Sequence, residues 1–444
     1  MPSLSPSPQS SSPLSDLPLP LVRSFPSGLT IVAEQIPVPA ISFDLWIRVG
    51  SAVEPDEING VAHFLEHMIF KGTENLPPGA FDRRVEAVGA NLNAATSQDY
   101  THYYFTSAPQ DFADLVPLQL EVVTQPKLPP QEFDQERRVV LEEILRAQDQ
   151  PERRIAQRKL EAVFSELPYR RPVLGPAAVI EQLELTQMRS FHDQWYQPPH
   201  ITLAIVGSEP AEAMVETVLQ HLPPSFLETT PTLQPHPTLC PEPRLSQPIR
   251  EHYQDDQLEQ DRLVMAWRVP GLQDLADTYA LDVLASLLSH GRTSRLVRRL
   301  REEQQWVRQI SAYNSNYQVQ GIFGITAKLL SSGSTSPTAK DDRQRVEAAI
   351  WEEIEKIQQG DIREAELNRV RTQVANRFIF ANERPQSRAQ LYGYYQALLG
   401  DVAPGLQYPK TIAQVTAEAV QKAAQTYLTP EQTITLSFAN TPDW

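Results

Sequence analysis

Apolar and polar positions alternate with period two in two distant stretches, FDLWIRVGS (43–51) and RLVMAWRVPG (262–271), which predicts a half-buried strand in each. A short interval after each strand comes an apolar run of helical length ending in glycine. These runs are VAHFLEHMIFKG (61–72) and ALDVLASLLSHG (280–291). A charged helix and a further strand follow in both cases, the strands lying in NLNAATSQDYTHYYFTSA and QISAYNSNYQVQGIFGITAKL. The pattern predicts an internal duplication of one α+β unit. Laying Gly72 on Gly291 sets Asp282, Ala285 and Ser286 opposite His63, Glu66 and His67, so the polar triplet belongs to the first copy alone.

Three more helical regions are legible. Apolar spacing of 3.6 residues runs through PPQEFDQERRVVLEEILRAQDQPERRIAQRKLEAVF, with a break expected near Pro151. SPTAKDDRQRVEAAIWEEIEKIQQG stops at Gly360, and a long helical stretch begins at REAELNRV and reaches GYYQALLGD. Proline punctuates the rest. A Ser/Pro-rich tail is expected over 1–20 and an extended Pro-rich linker over 222–248, separating a lobe at 21–221 from one at 249–444.

Composition narrows the function. The chain has 444 residues and a formal net charge of −16, which argues against nucleic acid as a partner. No apolar run approaches the ~18 residues needed to cross a bilayer, so no membrane span is expected. The tail lacks the basic and apolar regions of a secretory signal, and its first basic residue is Arg23. Cys240 is the single cysteine, which excludes an internal disulfide and a thiolate metal cluster and fits a reducing compartment. A cytoplasmic location is the expectation.

The first apolar helix carries the chemistry. Residues four apart stack on one helix face, so His63 and His67 can offer two imidazole nitrogens to one zinc ion. Glu66 borders that face, where a carboxylate can take the proton of a water activated by the metal. By chance, His-x-x-Glu-His arises in about one chain in a hundred of this composition, and burying such a triplet without a partner is costly. A third ligand must come from a facing element. In QERRVVLEEILRA, Glu136 and Glu143 are seven apart and share the face of Val140, whereas Glu142 points about 100° away. Glu143 is therefore assigned as the third ligand. Glu136 either orients a ligand or acts as a secondary catalytic carboxylate.

With these residues in place, GSAVEPDEINGVAHFLEHMIFKGT and ERRVVLEEI resemble the M16 metallopeptidases, and most closely their shorter processing-peptidase branch. The resemblance runs from about Val22 to the C-terminus. It implies a fold of two homologous α/β-sandwich lobes forming a clamshell around a peptide chamber, and a zinc metalloendopeptidase activity. It agrees with Glu143 as third ligand, and it makes Asn93, Ala94 and Ala95 an edge strand that pairs with the substrate backbone. Family members also carry an Arg and a Tyr seven apart in the second lobe to polarise the scissile carbonyl. Arg301 matches the first, but Arg308 stands at the tyrosine position. Either Arg308 substitutes, or a homologous subunit supplies the Arg/Tyr pair to this zinc-bearing chain; a homodimer is the alternative assembly. A non-catalytic structural or assembly subunit is the rival reading, and the intact His63, Glu66, His67 and Glu143 set argues against it.

Overall fold

The computed structural model describes residues 19–228, 236–330 and 338–440. Most of the expected Ser/Pro tail, part of the expected linker and the start of SPTAKDDR lie outside the described residues.

The first half of the chain builds a six-stranded mixed sheet. Its strands are β1 (Leu21–Ser24), β2 (Thr30–Gln35), β3 (Ile41–Ile47), β4 (Asn91–Thr96), β5 (Thr101–Ser107) and β6 (Ile201–Gly207), in the order β1-β2-β6-β3-β5-β4. The second half builds a five-stranded sheet from β7 (Ile249–Gln254), β8 (Arg262–Pro270), β9 (Val307–Ser315), β10 (Gln320–Leu329) and β11 (Ile434–Ala439), in the order β7-β11-β8-β10-β9. Without β1, the two orders coincide strand for strand. The first and last strands of each half pair in parallel, β2 with β6 and β7 with β11. The other pairings are antiparallel in both. The repeat read from the hydrophobic pattern is thus a repeat of topology.

The helices of the first half are α1 (Val61–Ile69), α2 (Ala80–Ala87), α3 (Pro109–Thr124), α4 (Pro130–Gln148) and α5 (Pro151–Val163). Pro151 opens α5, where its missing N–H costs nothing and its fixed φ suits a first helical turn. Glu364–Ala381 and Pro385–Leu399 divide the last expected helical stretch at a second proline. Among the described residues, no helix is long and apolar enough to cross a membrane. The described part of the linker is tied down: buried Glu242 accepts from the backbone amides of Ser165, Glu166 and Leu167 at 3.1, 2.8 and 2.8 Å.

One expectation changes. Strand β3 alternates in sequence, yet all seven of its residues are buried, Asp44 included. On one face, Phe43, Leu45 and Ile47 join a core with Phe64, Leu65 and Phe133. The other face is covered by Pro385–Leu399 from the second half, which brings Ala389 and Tyr392 against Val32, Ala204 and Val206. The exchange is mutual. Helix α5 and the segment after it put Ile155, Phe164 and Tyr169 on Val264, Ile322 and Leu436 of the second sheet.

The first of these contacts is close and charged. A Cβ on Gly393 would fall 2.0 Å from Trp46 Nε1, so glycine is required there. Buried Arg388 donates to Glu34 on β2 at 2.7 and 2.8 Å, and Tyr392 Oη donates to the same carboxylate at 2.7 Å. Replacing Glu34 by Ala strands the guanidinium in an apolar interface. The expected cost is about 3–5 kcal/mol of unfolding free energy in a urea titration, and the Glu34→Ala/Arg388→Ala double variant should lose less than the sum of the two single losses.

Candidate metal centre

Helix α1 starts from a cap that uses no N-cap side chain. Gly60 adopts a left-handed φ of 98°, and the carboxylate of Glu54 reaches back over the helix end. It accepts from Gly60 N at 2.8 Å, Ala62 N at 2.7 Å and Asn59 Nδ2 at 2.7 Å, satisfying amides that the first turn leaves unpaired. Burial nonetheless pushes Glu54 up to about 6. Across from α1, α4 buries Phe133, Val140 and Ile144, and Phe133 stacks on Phe64 of α1 with centroids 4.8 Å apart and planes 11° from parallel. That stacking sets the two helices face to face.

His63 and His67 project from α1 with ring centroids 4.8 Å apart, and Glu143 faces them from α4. Glu143 Oε2 lies 3.5 Å from Nε2 of each histidine. One ligand atom from each of the three lies within 4.8 Å of the others. These separations are long for hydrogen bonds and leave room for a cation shared by all three. Two imidazoles and a carboxylate form the donor set of an open zinc site with one position left for substrate or water. The residues present therefore fit the metal.

Glu136, one face repeat before Glu143, serves the histidine. Its Oε1 lies 2.9 Å from His67 Nδ1 and its Oε2 2.6 Å from Lys71 Nζ. His67 donating from Nδ1 leaves the Nε2 lone pair aimed at Glu143 and the shared space. Of the two roles expected for Glu136, the contacts support orientation of a ligand. Burial would raise Glu136, but the His67 and Lys71 hydrogen bonds outweigh it and hold the carboxyl low. Burial, with the neighbouring His67, pushes His63 down to about 4, the neutral form that ligates. Burial also opposes charge on His67, yet Glu136 and Glu143 raise it to about 9, so a metal must displace a proton there.

Glu66 turns toward the sheet edge and accepts from Thr96 Oγ1 of β4 at 2.5 Å. Burial raises its pKa above the ordinary carboxylate value. Strand β4 is the outer strand of its sheet and pairs with β5 alone. The Ala94 amide donates to Oδ1 of neighbouring Asn93 at 2.9 Å in an exposed hydrogen bond. The Asn93, Ala94 and Ala95 stretch therefore lies on the strand whose other edge has no neighbour among the described strands.

Among the described residues, the second copy holds no comparable set. Asp282 accepts from Asn314 Nδ2 at 2.9 Å and Tyr408 Oη at 3.0 Å, burial pushes it up to about 6, and Ala285 and Ser286 bring no strong ligand. Arg301 closes on its neighbour, donating to Glu302 Oε1 at 2.9 and 2.7 Å, and Arg308 is exposed on β9. Tyr317 stacks on Tyr169 at 4.6 Å, and Tyr313 Oη accepts from Lys159 at 2.8 Å. Among the described residues, no hydrogen bond or ion pair joins any of these four to His63, Glu66, His67 or Glu143. The structure adds Glu54, Lys71, Thr96 and Arg153, whose Nη1 lies 3.9 Å from Glu143 Oε1. Lys71 and Thr96 act across long gaps in the chain and Arg153 beyond a helix break, so none of those three carries a local sequence signal, whereas Glu54 caps a helix that begins only seven residues after it.

The chain is similar to several known proteins. A family model described as Insulinase (Peptidase family M16) matches residues 30–177, and one described as Peptidase M16 inactive domain matches residues 182–374. An uncharacterized zinc protease of Mycobacterium tuberculosis is 29% identical over 406 residues, covering 90% of this chain and 89% of the relative. A probable mitochondrial-processing peptidase subunit beta of Arabidopsis thaliana is 26% identical, over 92% of this chain and 76% of the relative. The crystal structure of a protease from Helicobacter pylori superimposes with a TM-score of 0.87 at 26% identity, covering 95% of this chain and all of that one.

Elemental analysis of the purified chain should find one zinc per chain and little in His67→Ala. In Glu136→Gln the site should survive with zinc affinity lowered about 10–100-fold, read by competition with a chromogenic chelator. Full zinc retention by His67→Ala would remove that residue from the site.

Proposed function

Since the chain belongs to peptidase family M16, we propose that it is a zinc-dependent metalloendopeptidase acting on extended peptides. The observation that carries this reading is the position of Glu66. Its carboxylate stands beside the His63 and His67 pair and is held by Thr96 of the outermost strand of the sheet.

In this reading His63, His67 and Glu143 hold the ion. When bound, zinc brings the pKa of water toward neutrality and polarises a carbonyl. The chain's own groups do the rest. A peptide lies along β4 as an added strand, its backbone carbonyl displacing Asn93 Oδ1 from the Ala94 amide. Glu66 takes the proton of the attacking water and returns it to the amine as the C–N bond breaks. Thr96 keeps one carboxylate oxygen of Glu66 engaged, which leaves the other for water. The lone exposed Cys240 is compatible with a reducing, cytoplasmic setting.

The second lobe supports a two-subunit enzyme. Arg301 is engaged by Glu302, and Arg308 replaces the tyrosine, so this chain serves as the zinc-bearing subunit and a homologous partner supplies the Arg/Tyr pair. A second copy of this chain would bring only another Arg301 and Arg308, which disfavours the homodimer.

Glu66→Gln should keep its zinc and lose at least about 10²-fold in turnover of a fluorogenic peptide, because an amide cannot take the proton. Near-normal activity in that variant would move the base role elsewhere. The isolated wild-type chain should turn over slowly, about 10²–10³-fold below the mixture with a homologous subunit that carries the Arg/Tyr pair. Rates of ~1 s⁻¹ or more from the chain alone would contradict the two-subunit reading.

A further inference from the structure

Arg153 sits in the first turn of α5, between two residues tied to the second lobe. Glu152 accepts from Lys328 Nζ at 2.5 Å and lies 3.5 Å from Arg262 Nη2. Arg154 grips Asp255 with 2.7 and 2.6 Å bonds from Nη2. The Arg153 amide donates to Gln150 O at 3.1 Å, and Pro151 fixes the turn. The backbone of Arg153 is therefore held by contacts its own side chain does not make.

That side chain turns the other way. Nη1 stands 3.9 Å from Glu143 Oε1, the oxygen that does not face the histidines. The gap is too long for a hydrogen bond, and the side chain is half exposed. Among the described residues this is the one ion pair Arg153 makes, so its five N–H donors remain available beside the metal centre.

We infer that Arg153 is the oxyanion donor of this chain, an inference that rests on the metallopeptidase reading. When the water oxygen bonds to the scissile carbonyl carbon, the C=O π pair moves onto oxygen while Glu66 takes the proton. Charge on that oxygen grows from that of a neutral amide to a full unit in the tetrahedral adduct. A guanidinium whose backbone is anchored beside the site and whose charge meets the oxygen only as it becomes anionic stabilises the adduct more than the substrate, which is the requirement for faster chemistry. Arg153 does within one chain what Arg301, closed on Glu302, is not placed to do. It accounts for the slow turnover expected of the isolated chain, and a partner's Arg/Tyr pair adds to it.

The test compares two ligands on zinc-loaded protein by calorimetry. One is a phosphinic hexapeptide, whose tetrahedral anion mimics the adduct. The other is the hexapeptide of matching sequence, bound to the inactive Glu66→Gln background. Arg153→Gln should weaken the phosphinic ligand about 10²-fold and the plain peptide less than about threefold, with zinc content unchanged. Arg153→Lys, which keeps the charge but not the fork, should recover part of the loss. Equal weakening of both ligands would make Arg153 a ground-state anchor, and loss of zinc would make it a mere partner of Glu143; unchanged binding would leave it no role. Each of these overturns the inference. If the wild-type chain itself holds no zinc, the metallopeptidase reading fails first, which separates the two failures.

Discussion

The constraint on which this structure depends is that its central strands are buried on both faces. Strands β3, β6 and β11 expose none of their residues, so each sheet needs cover on two sides. Each half of the chain supplies helices for one face of its own sheet and lends a helix to the second face of the other. The lobes are thus bound by exchanged helices and the buried Glu34–Arg388–Tyr392 cluster, rather than by a surface contact.

The candidate metal centre inherits its geometry from that exchange. Helix α4, which carries Glu136 and Glu143, runs into α5 across the Pro151 break, and α5 is the helix lent to the second sheet. Anchoring α5 through Arg154–Asp255 and Glu152–Lys328 fixes the far end of the α4–α5 unit. Phe64 stacked on Phe133 fixes its near end against α1. Between these two anchors, buried imidazoles and carboxylates would be expensive if left unpaired. Lys71, Thr96 and the proposed cation satisfy most of them, and the convergence of three ligand atoms on one space is what remains.

The sequence and the fold meet unevenly. His63 and His67 were legible because their spacing is a helix period, and Glu143 because a seven-residue step returns to the same face of α4. The duplication was visible in the two alternating stretches, though not the strand order, and the Pro151 break in proline's missing donor. Asp44 shows where local pattern stops informing: alternation around it predicts a half-buried strand, but a helix more than 300 residues later covers its open face. Thr96, Lys71 and Arg153 were hidden for the same reason. Their roles lie in which element lands beside which, and no local periodicity encodes that. Arg301 was legible only through family resemblance, and its closure on Glu302 depends on side-chain packing.

Zinc X-ray absorption on the purified chain asks directly whether a single zinc is held by His63, His67 and Glu143 with a position open for chemistry. The expected spectrum shows a four-coordinate shell of nitrogen and oxygen at about 2.0–2.2 Å, with outer-shell scattering from two imidazoles. A shell showing one imidazole or none, a sulfur neighbour at about 2.3 Å, or a chain that carries no zinc would contradict it.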